Sequence, residues 1–299
     1  MFILAHLSDP HLAPMQWPRP RDLINKRMLG FVNWHFRRRA FHRAEVLDAL
    51  ITDMKQASPD HIAVTGDLVN ISLEHEFTVA QEWLRRLGDA KHVTLVPGNH
   101  DAYVRASAHH ASRVWREYMR EADEDAADPK EPFPFVRRRG PVALIGVSTA
   151  IPTGPFAAKG EVGPAQLERL RAALKAVAAE PLFRVLVIHH PPLSTKQERH
   201  KRLIDAEAVR ALLREYGVEL VIHGHEHIHS LVWLDGPAGR IPAFGVPSAS
   251  ADVSDAHPAG YNLYRIGGKP GAWQCEAISR GLRADETGFV ELHRETVHA

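Results

Sequence analysis

The chain has 299 residues, 44% of them apolar and 24% charged, with a formal net charge of +1. These proportions fit an ordinary globular protein, and the near-neutral balance gives no global pull toward nucleic acid or membrane. The lone cysteine, Cys275, excludes an internal disulfide and makes a reducing, cytoplasmic compartment the expected setting. Residues 1–7 form an apolar start too short for a signal peptide and without a basic leader. No run of about 18 apolar residues predicts a transmembrane helix. Twenty histidines invite a search for metal or acid–base chemistry.

In chain order, FILAHL (2–7) predicts a buried strand that ends at SDPH. A basic and aromatic stretch, 12–42, then precedes a helix over 43–57. HIAVTG (61–66) predicts a strand ending at Asp67, followed by a helix over 75–88. HVTLVPG (92–98) predicts a strand ending at NHD, followed by a helix over 108–120. The acidic stretch 121–131 predicts a solvated loop. VALIGVS (142–148) predicts a strand, 164–178 a helix, and FRVLVIHH (183–190) a strand ending at PP. A helix over 205–216 carries an apolar stripe of Ile204, Val209, Leu212 and Leu213, with Gly217 as its C-cap. VELVIHG (218–224) predicts a strand ending at HEH. Alternating strands and helices predict an α/β fold. Segments 231–234, 241–246, 261–266 and 272–278 lack intervening helices and predict a second, mostly antiparallel group. The expected organisation is one domain over 1–280, with 281–299 as a C-terminal tail that is a strand or a loose end.

Five of the predicted strands deliver metal-type ligands at their carboxyl ends, where open α/β sheets bind ligands. They are Asp9 and His11; Asp67; Asn99 and His100; His189; and His225 with His227. One Asp or His at a strand end is usually a cap or a turn residue. Five strand ends in agreement are much harder to assign to turn chemistry. Carboxylate, imidazole and amide oxygen suit two divalent ions such as Mn²⁺, with Fe or Zn also compatible, and not a thiolate-selected metal. Two ions sharing one bridging carboxylate need about seven ligands, which leaves His100 free as an acid or base. Gly66, Gly98 and Gly224 are expected to let the backbone turn tightly beside the ligands. His190, His223 and His229 are expected to be packing, supporting or rim residues.

The blocks DPH, GDLVN, GNHD, HHPP and GHEH, ordered over residues 9–227, resemble the calcineurin-like metallophosphoesterases. GDLVN departs slightly from a pattern that often ends in an acid, so Asn70 is not an expected ligand. The resemblance implies a four-layer αββα sandwich, two mixed β-sheets flanked by helices. It implies that Asp9, His11 and His227 hold one metal, that Asn99, His189 and His225 hold the other, and that Asp67 bridges them. It places His100 near the phosphate, able to protonate the leaving oxygen. The implied chemistry is metal-dependent hydrolysis of a phosphodiester, with water activated for in-line attack.

Specificity is expected in insertions rather than in the core motifs. Residues 19–43 hold eight Lys or Arg against Asp22, interleaved with Trp17, Phe31, Trp34, Phe36 and Phe41. That composition suits an interfacial element at the inner face of a membrane, a helical lid, or a homo-oligomer contact. Nucleic acid is not an expected partner. The motifs together with NKRMLGFVNW, FPFVRRRGPVALIGVS and HKRL resemble, more loosely, the bacterial intracellular phospholipase C branch. That branch releases head groups such as phosphocholine, with diacylglycerol, from membrane lipid. The alternatives are cyclic-nucleotide or glycerophosphodiester hydrolysis and, from another class, a metal-dependent scaffold without catalysis. Arg38, Arg138, His200, Lys201 and Arg202 are the expected substrate contacts, and Arg137 and Arg139 are weighed with them.

Overall fold

The short apolar runs fold as strands buried on both faces. The structure, a computed structural model, describes residues 1–121, 132–196 and 198–298. Strands β1 (Phe2–Leu7), β2 (His61–Val64) and β3 (Val93–Leu95) are parallel. Strand β4 (Phe135–Arg139) pairs antiparallel with β5 (Val142–Val147), which continues in parallel through β6 (Phe183–Ile188) to β7 (Leu220–His223). Strands β8 (Ser230–Gly236) and β9 (Gly239–Gly245) form a hairpin, with β9 parallel to β7. Strands β10 (Gly260–Lys269), β11 (Ala272–Leu282) and β12 (Phe289–His298) form an antiparallel meander. Two mixed six-stranded sheets result, ordered β12-β11-β10-β1-β2-β3 and β4-β5-β6-β7-β9-β8.

The helices are α1 (Arg27–Asn33), α2 (Arg39–Phe41), α3 (Ala44–Gln56), α4 (Glu74–Leu87), α5 (His110–Val114), α6 (Pro164–Val177) and α7 (Ala206–Tyr216). Alternation along β6 shows how the layers stack. Phe183, Val185 and Val187 join the apolar cluster shared with the other sheet, while Leu186 and Ile188 join the cluster under α6 and α7. A strand sandwiched in this way needs apolar residues at successive positions, which is why FRVLVI reads as a continuous run. On α7, Val209, Leu212 and Leu213 are buried against that sheet, each contributing about 1.5–3 kcal/mol. Gly217 ends the helix with a φ of 67°, which glycine adopts without strain. Val46, Leu50 and Met54 of α3 and Phe77, Trp83 and Leu84 of α4 cover the first sheet. The expected αββα sandwich of two mixed sheets is therefore present.

Three expectations need correction. The helix expected over 108–120 stops at α5 and tightens into a 3-10 turn at Arg116–Tyr118. The Tyr118 carbonyl there accepts the Arg137 guanidinium at 3.1 Å. Strand β4 was not anticipated, because FVRRR carries three consecutive arginines. The boundary expected at residue 280 is not an edge of the fold: β11 runs through it, and β12 pairs along β11 with Phe289 and Val297 in the core. Of the loop expected at 121–131, all but Glu121 lies outside the described residues.

Within the stretch 12–42 the chain is largely helical from Pro20 onward, with a 3-10 turn at Pro20–Leu23, α1, a π-helical turn at Trp34–Arg38 and α2. Its inner side is fixed to the body. Trp34 packs with Met15, Ile71, Leu73 and Tyr103. Lys26 donates to Thr153 Oγ1 (2.7 Å) and to the Ala157 carbonyl (3.1 Å), and Arg27 Nε donates to the Ile71 carbonyl (3.0 Å).

Candidate metal centre

The five chosen strands end side by side, three in one sheet and two in the other. Beyond β1, β2 and β7 the backbone enters the left-handed region at the candidate ligands themselves. Asp9 has φ 52°, His11 38°, Asp67 56°, His225 68° and His227 53°. Non-glycine residues hold such angles at a cost of order 1–3 kcal/mol each, and such residues cluster at functional sites. Gly98 permits the close approach behind them, since a Cβ there would overlap the Asp67 carboxylate and lie 2.7 Å from the His189 ring.

The donor atoms converge. Asp9, His11 and His227 present theirs within 4.8 Å of one another, as do His11, Asp67 and His100, and as do Asp9, Asp67 and His189. His189 and His225 form a further set with His190. Shared members join these sets into one centre. His227 Nε2 lies 3.0 Å from Asp9 Oδ1, His189 Nε2 lies 3.5 Å from Asp67 Oδ2, and His189 Nε2 lies 3.2 Å from Asn99 Oδ1. Three of the inward imidazoles are held from behind by main-chain carbonyls. His11 Nδ1 is 3.3 Å from Val69 O, His189 Nδ1 is 2.5 Å from Thr65 O, and His225 Nε2 is 2.8 Å from Lys201 O. Such contacts fix the tautomer so that the other nitrogen offers its lone pair. His11 Nε2 is buried and has no hydrogen-bond partner, as expected of a nitrogen shaped for a cation.

The residues fit a pair of divalent ions. Burial and the Arg38 guanidinium hold His11 well below the usual imidazole pKa, and burial with neighbouring His189 does the same for His225. Both therefore stay neutral, as ligation requires. Burial disfavours charge on Asp9, yet the His227 contact outweighs it and keeps that carboxyl well below its usual range. Burial also opposes charge on His189, but Asp67 outweighs it and raises the imidazole to about 9. A proton and a metal ion thus compete for His189. Asp101 supports the site from below. Its carboxylate accepts the Asp67, Leu68 and Gly98 amides at 2.8, 2.9 and 2.9 Å.

A family model for calcineurin-like phosphoesterases matches residues 2–229. The chain belongs to that family. It is a metal-dependent phosphoesterase with a candidate dinuclear site. Among solved structures it is similar to a dimetal phosphatase from Danio rerio, at 13% identity over 99% of this chain and 98% of that one, with a TM-score of 0.64. A purple acid phosphatase from yellow lupin (Lupinus luteus) seeds matches at 9% identity over 99% of this chain and 53% of that one, with a TM-score of 0.59. GAP50 of Plasmodium matches at 10% identity over 99% and 88%, with a TM-score of 0.53. At these identities the likeness establishes the fold. No relative among curated proteins matches the sequence.

The expected substrate contacts of this phosphoesterase separate sharply. Arg38 reaches the centre from the π-helical turn, with Nη1 2.9 Å from His100 Nε2. His100 Nδ1 is also 2.5 Å from the Asn70 carbonyl, so Nδ1 carries the proton and Nε2 accepts from Arg38. Burial and Arg38 lower His100 to about 4. Lys201 lines the cleft with Arg38, Asp67, Asn99, His100 and His225, and Arg202 lines an adjoining hollow. His200 is exposed and lies outside both linings. Arg138 is a correction. It pairs with Ala143 near the start of β5, at the opposite end of the sheet from the candidate ligands, and its guanidinium meets Glu180 at 2.6 Å. Arg139 likewise meets Glu121 at 2.9 Å, and Arg137 is buried on the Val93 carbonyl at 2.6 Å.

His190 engages both ring nitrogens, with Thr149 Oγ1 at 2.7 Å and Ala158 O at 3.0 Å. The His223 Nδ1 lies 3.1 Å from Gly224 O, and the His229 ring abuts Gly260. Two residues of the site gave no warning in the sequence. The His42 ring lies 4.8 Å from that of His11, with Nδ1 2.8 Å from Ser250 Oγ. Tyr103 stacks on His100 at 5.4 Å. Neither lies immediately after one of the ligand-bearing strands, the one signal that marked the others.

Proposed function

We propose that this metallophosphoesterase hydrolyses phosphodiesters, and that its substrates are membrane phospholipids, cleaved to a phosphorylated head group and diacylglycerol. The observation that carries the reading is the two-sided insertion. Its inner side places Arg38 against His100 in a cleft of about 220 Å³. Its outer side leaves Trp17, Ile24, Met28, Val32 and Phe36 exposed, Ile24 by 83% and Phe36 by 75%. Phe156, 82% exposed, stands beside the Ala157 carbonyl that Lys26 holds. Exposed aromatic and aliphatic tips beside basic residues suit the boundary between headgroups and acyl chains. Contact would be peripheral, since among the described residues no helix is long and apolar enough to cross a membrane. The free, buried Cys275 is consistent with a cytoplasmic, reducing side.

Asp9, His11 and His227 would hold one ion and Asn99, His189 and His225 the other, with Asp67 between them. Mn²⁺ is the proposed pair, and Fe or Zn suits the same donors. When bound, such a pair supplies Lewis acidity, making water a nucleophile near neutral pH and offsetting charge on phosphoryl oxygens. Arg38 orients the phosphoryl group by donating from its guanidinium fork and adds positive charge where negative charge develops. His100, with its Nδ1 proton on the Asn70 carbonyl and Nε2 accepting from Arg38, would act as an acceptor that holds Arg38 beside the phosphoryl group, rather than as the acid for the leaving oxygen that the resemblance implies.

The test is release of phosphocholine or a related head group with diacylglycerol from phospholipid vesicles, with Mn²⁺, Fe²⁺ or Zn²⁺ added to metal-free protein. Cyclic AMP and glycerophosphocholine serve as the competing substrates. Faster turnover of either one, with vesicle lipid untouched, would sink the lipid reading. Loss of vesicle binding with a doubled solution mass would instead make the apolar face an interface between copies.

A further inference from the structure

The turn that carries two of the ligands also carries a buried carboxylate that faces a loop. His225 and His227 both have left-handed φ, so the chain reverses around Glu226 and its side chain diverges from theirs. Glu226 is 7% exposed. Its oxygens accept the Ser194 hydroxyl, the Thr195 amide at 3.1 Å, the Thr195 hydroxyl at 2.7 Å and the Lys196 amide at 3.4 Å. Lys196 Nζ returns to the Glu226 carbonyl at 2.9 Å. Further along this loop, the Lys201 carbonyl is the partner of His225 Nε2. Elsewhere the loop is tied down by main-chain groups, with Ala158 N on His200 O at 2.9 Å and Gly160 N on Arg202 O at 3.2 Å. Adjacent residues thus hold the two ends of one circuit: Glu226 fixes the loop, and the loop fixes the His225 ring.

We propose that Glu226 is a positioning residue, clamping the Ser194–Lys196 turn so that the Lys201 carbonyl holds His225 Nε2 and turns Nδ1 toward the second cation. The proposal rests on the dinuclear reading. A carboxylate suits this place because its two oxygens accept from several donors at once. Loss of such supporting contacts lowers metal affinity about 10–100-fold.

The test uses the full chain, stripped of metal, in two measurements. Trypsin reports the clamp, since Lys196, Arg199, Lys201 and Arg202 are all cleavage sites in the loop. Titration with Mn²⁺ or Zn²⁺ in a calorimeter reports the two cation affinities. In Glu226→Ala, loop cleavage should accelerate about tenfold and the second ion should bind about tenfold more weakly, with the first ion little changed. Glu226→Gln should behave like the parent, because its oxygen still accepts from Ser194 and Thr195 N while its amide donates to Thr195 Oγ1. Should Glu226→Ala not fold, Ser194→Ala with Thr195→Val strips the same bonds from the loop side and should shift both readouts in the same direction. Unchanged cleavage and unchanged second-ion affinity in the alanine variant would overturn the proposal. So would equal losses in Glu226→Gln, which would make the charge, rather than the clamp, the active feature. A parent protein that binds a single ion would overturn the dinuclear reading, a result distinct from both.

Discussion

At the residue scale, Arg38 and His100 form the pair on which the proposed chemistry turns. The Nη1–Nε2 contact of 2.9 Å makes them one unit. Arg38→Ala should lower kcat for bis-p-nitrophenyl phosphate by about 10²–10³, the usual cost of losing one donor to developing charge. Metal content should be unchanged, and elemental analysis of the variant checks it; loss of an ion would show that Arg38 supports the centre rather than the substrate. His100→Ala should also cut turnover strongly while keeping both ions. Because the two side chains touch, the double variant should lose less than the product of the single losses. Arg38 was among the expected substrate contacts as part of a basic run, without a local feature to set it apart. Nothing in RRRAFHR distinguishes it from Arg39, whereas the π-helical turn and the packing of Trp34 select it.

At the scale of elements, the insertion has two faces that substitution can separate. Trp17→Ser with Phe36→Ser removes two exposed aromatics, which lie 70% and 75% in solvent. Binding to anionic vesicles should fall about tenfold or more, on the order of the 1.5–3 kcal/mol that burying one such side chain contributes. Turnover of the soluble diester should change by less than about twofold. Equal loss of both would mark the insertion as a structural lid. Gly30→Val should do the reverse. A Cβ at Gly30 would overlap the Tyr103 hydroxyl and lie 2.7 Å from Ile71 Cγ2, so either α1, which leads to Arg38, or the Tyr103 ring, which stacks on His100, must give way. Soluble diester turnover should then collapse while vesicle binding persists.

For the whole molecule, two buried histidines that are not themselves candidate ligands tie stability to pH. His6 meets Thr65 Oγ1 at 2.9 Å and His61 meets Thr94 Oγ1 at 2.7 Å. Burial, with His223 adding to it, holds His6 well below 6.5, and burial with Arg137 lowers His61 to about 2. Each stays neutral in the folded chain while the unfolded chain takes up a proton near pH 6.5. Their contribution is therefore complete above about pH 6.5 and is lost as pH falls below it, for His61 down to about 2, at about 1.4 kcal/mol per histidine per pH unit. Urea melts between pH 7.5 and 5 should show the decline, and His61→Gln should make it shallower. An unchanged slope would remove His61 from the account. By itself the sequence determined the layers and marked the candidate ligands. Strands buried on both faces must be written as apolar runs, and ligands that follow such strands directly in the chain are visible as motifs. Only the tertiary structure decided which charges matter. Arg38, Arg138, His42 and Glu226 sit in stretches whose local pattern carries no such mark. Their roles depend on which distant element each meets: the metal cleft, Glu180, Ser250 or the Ser194 loop.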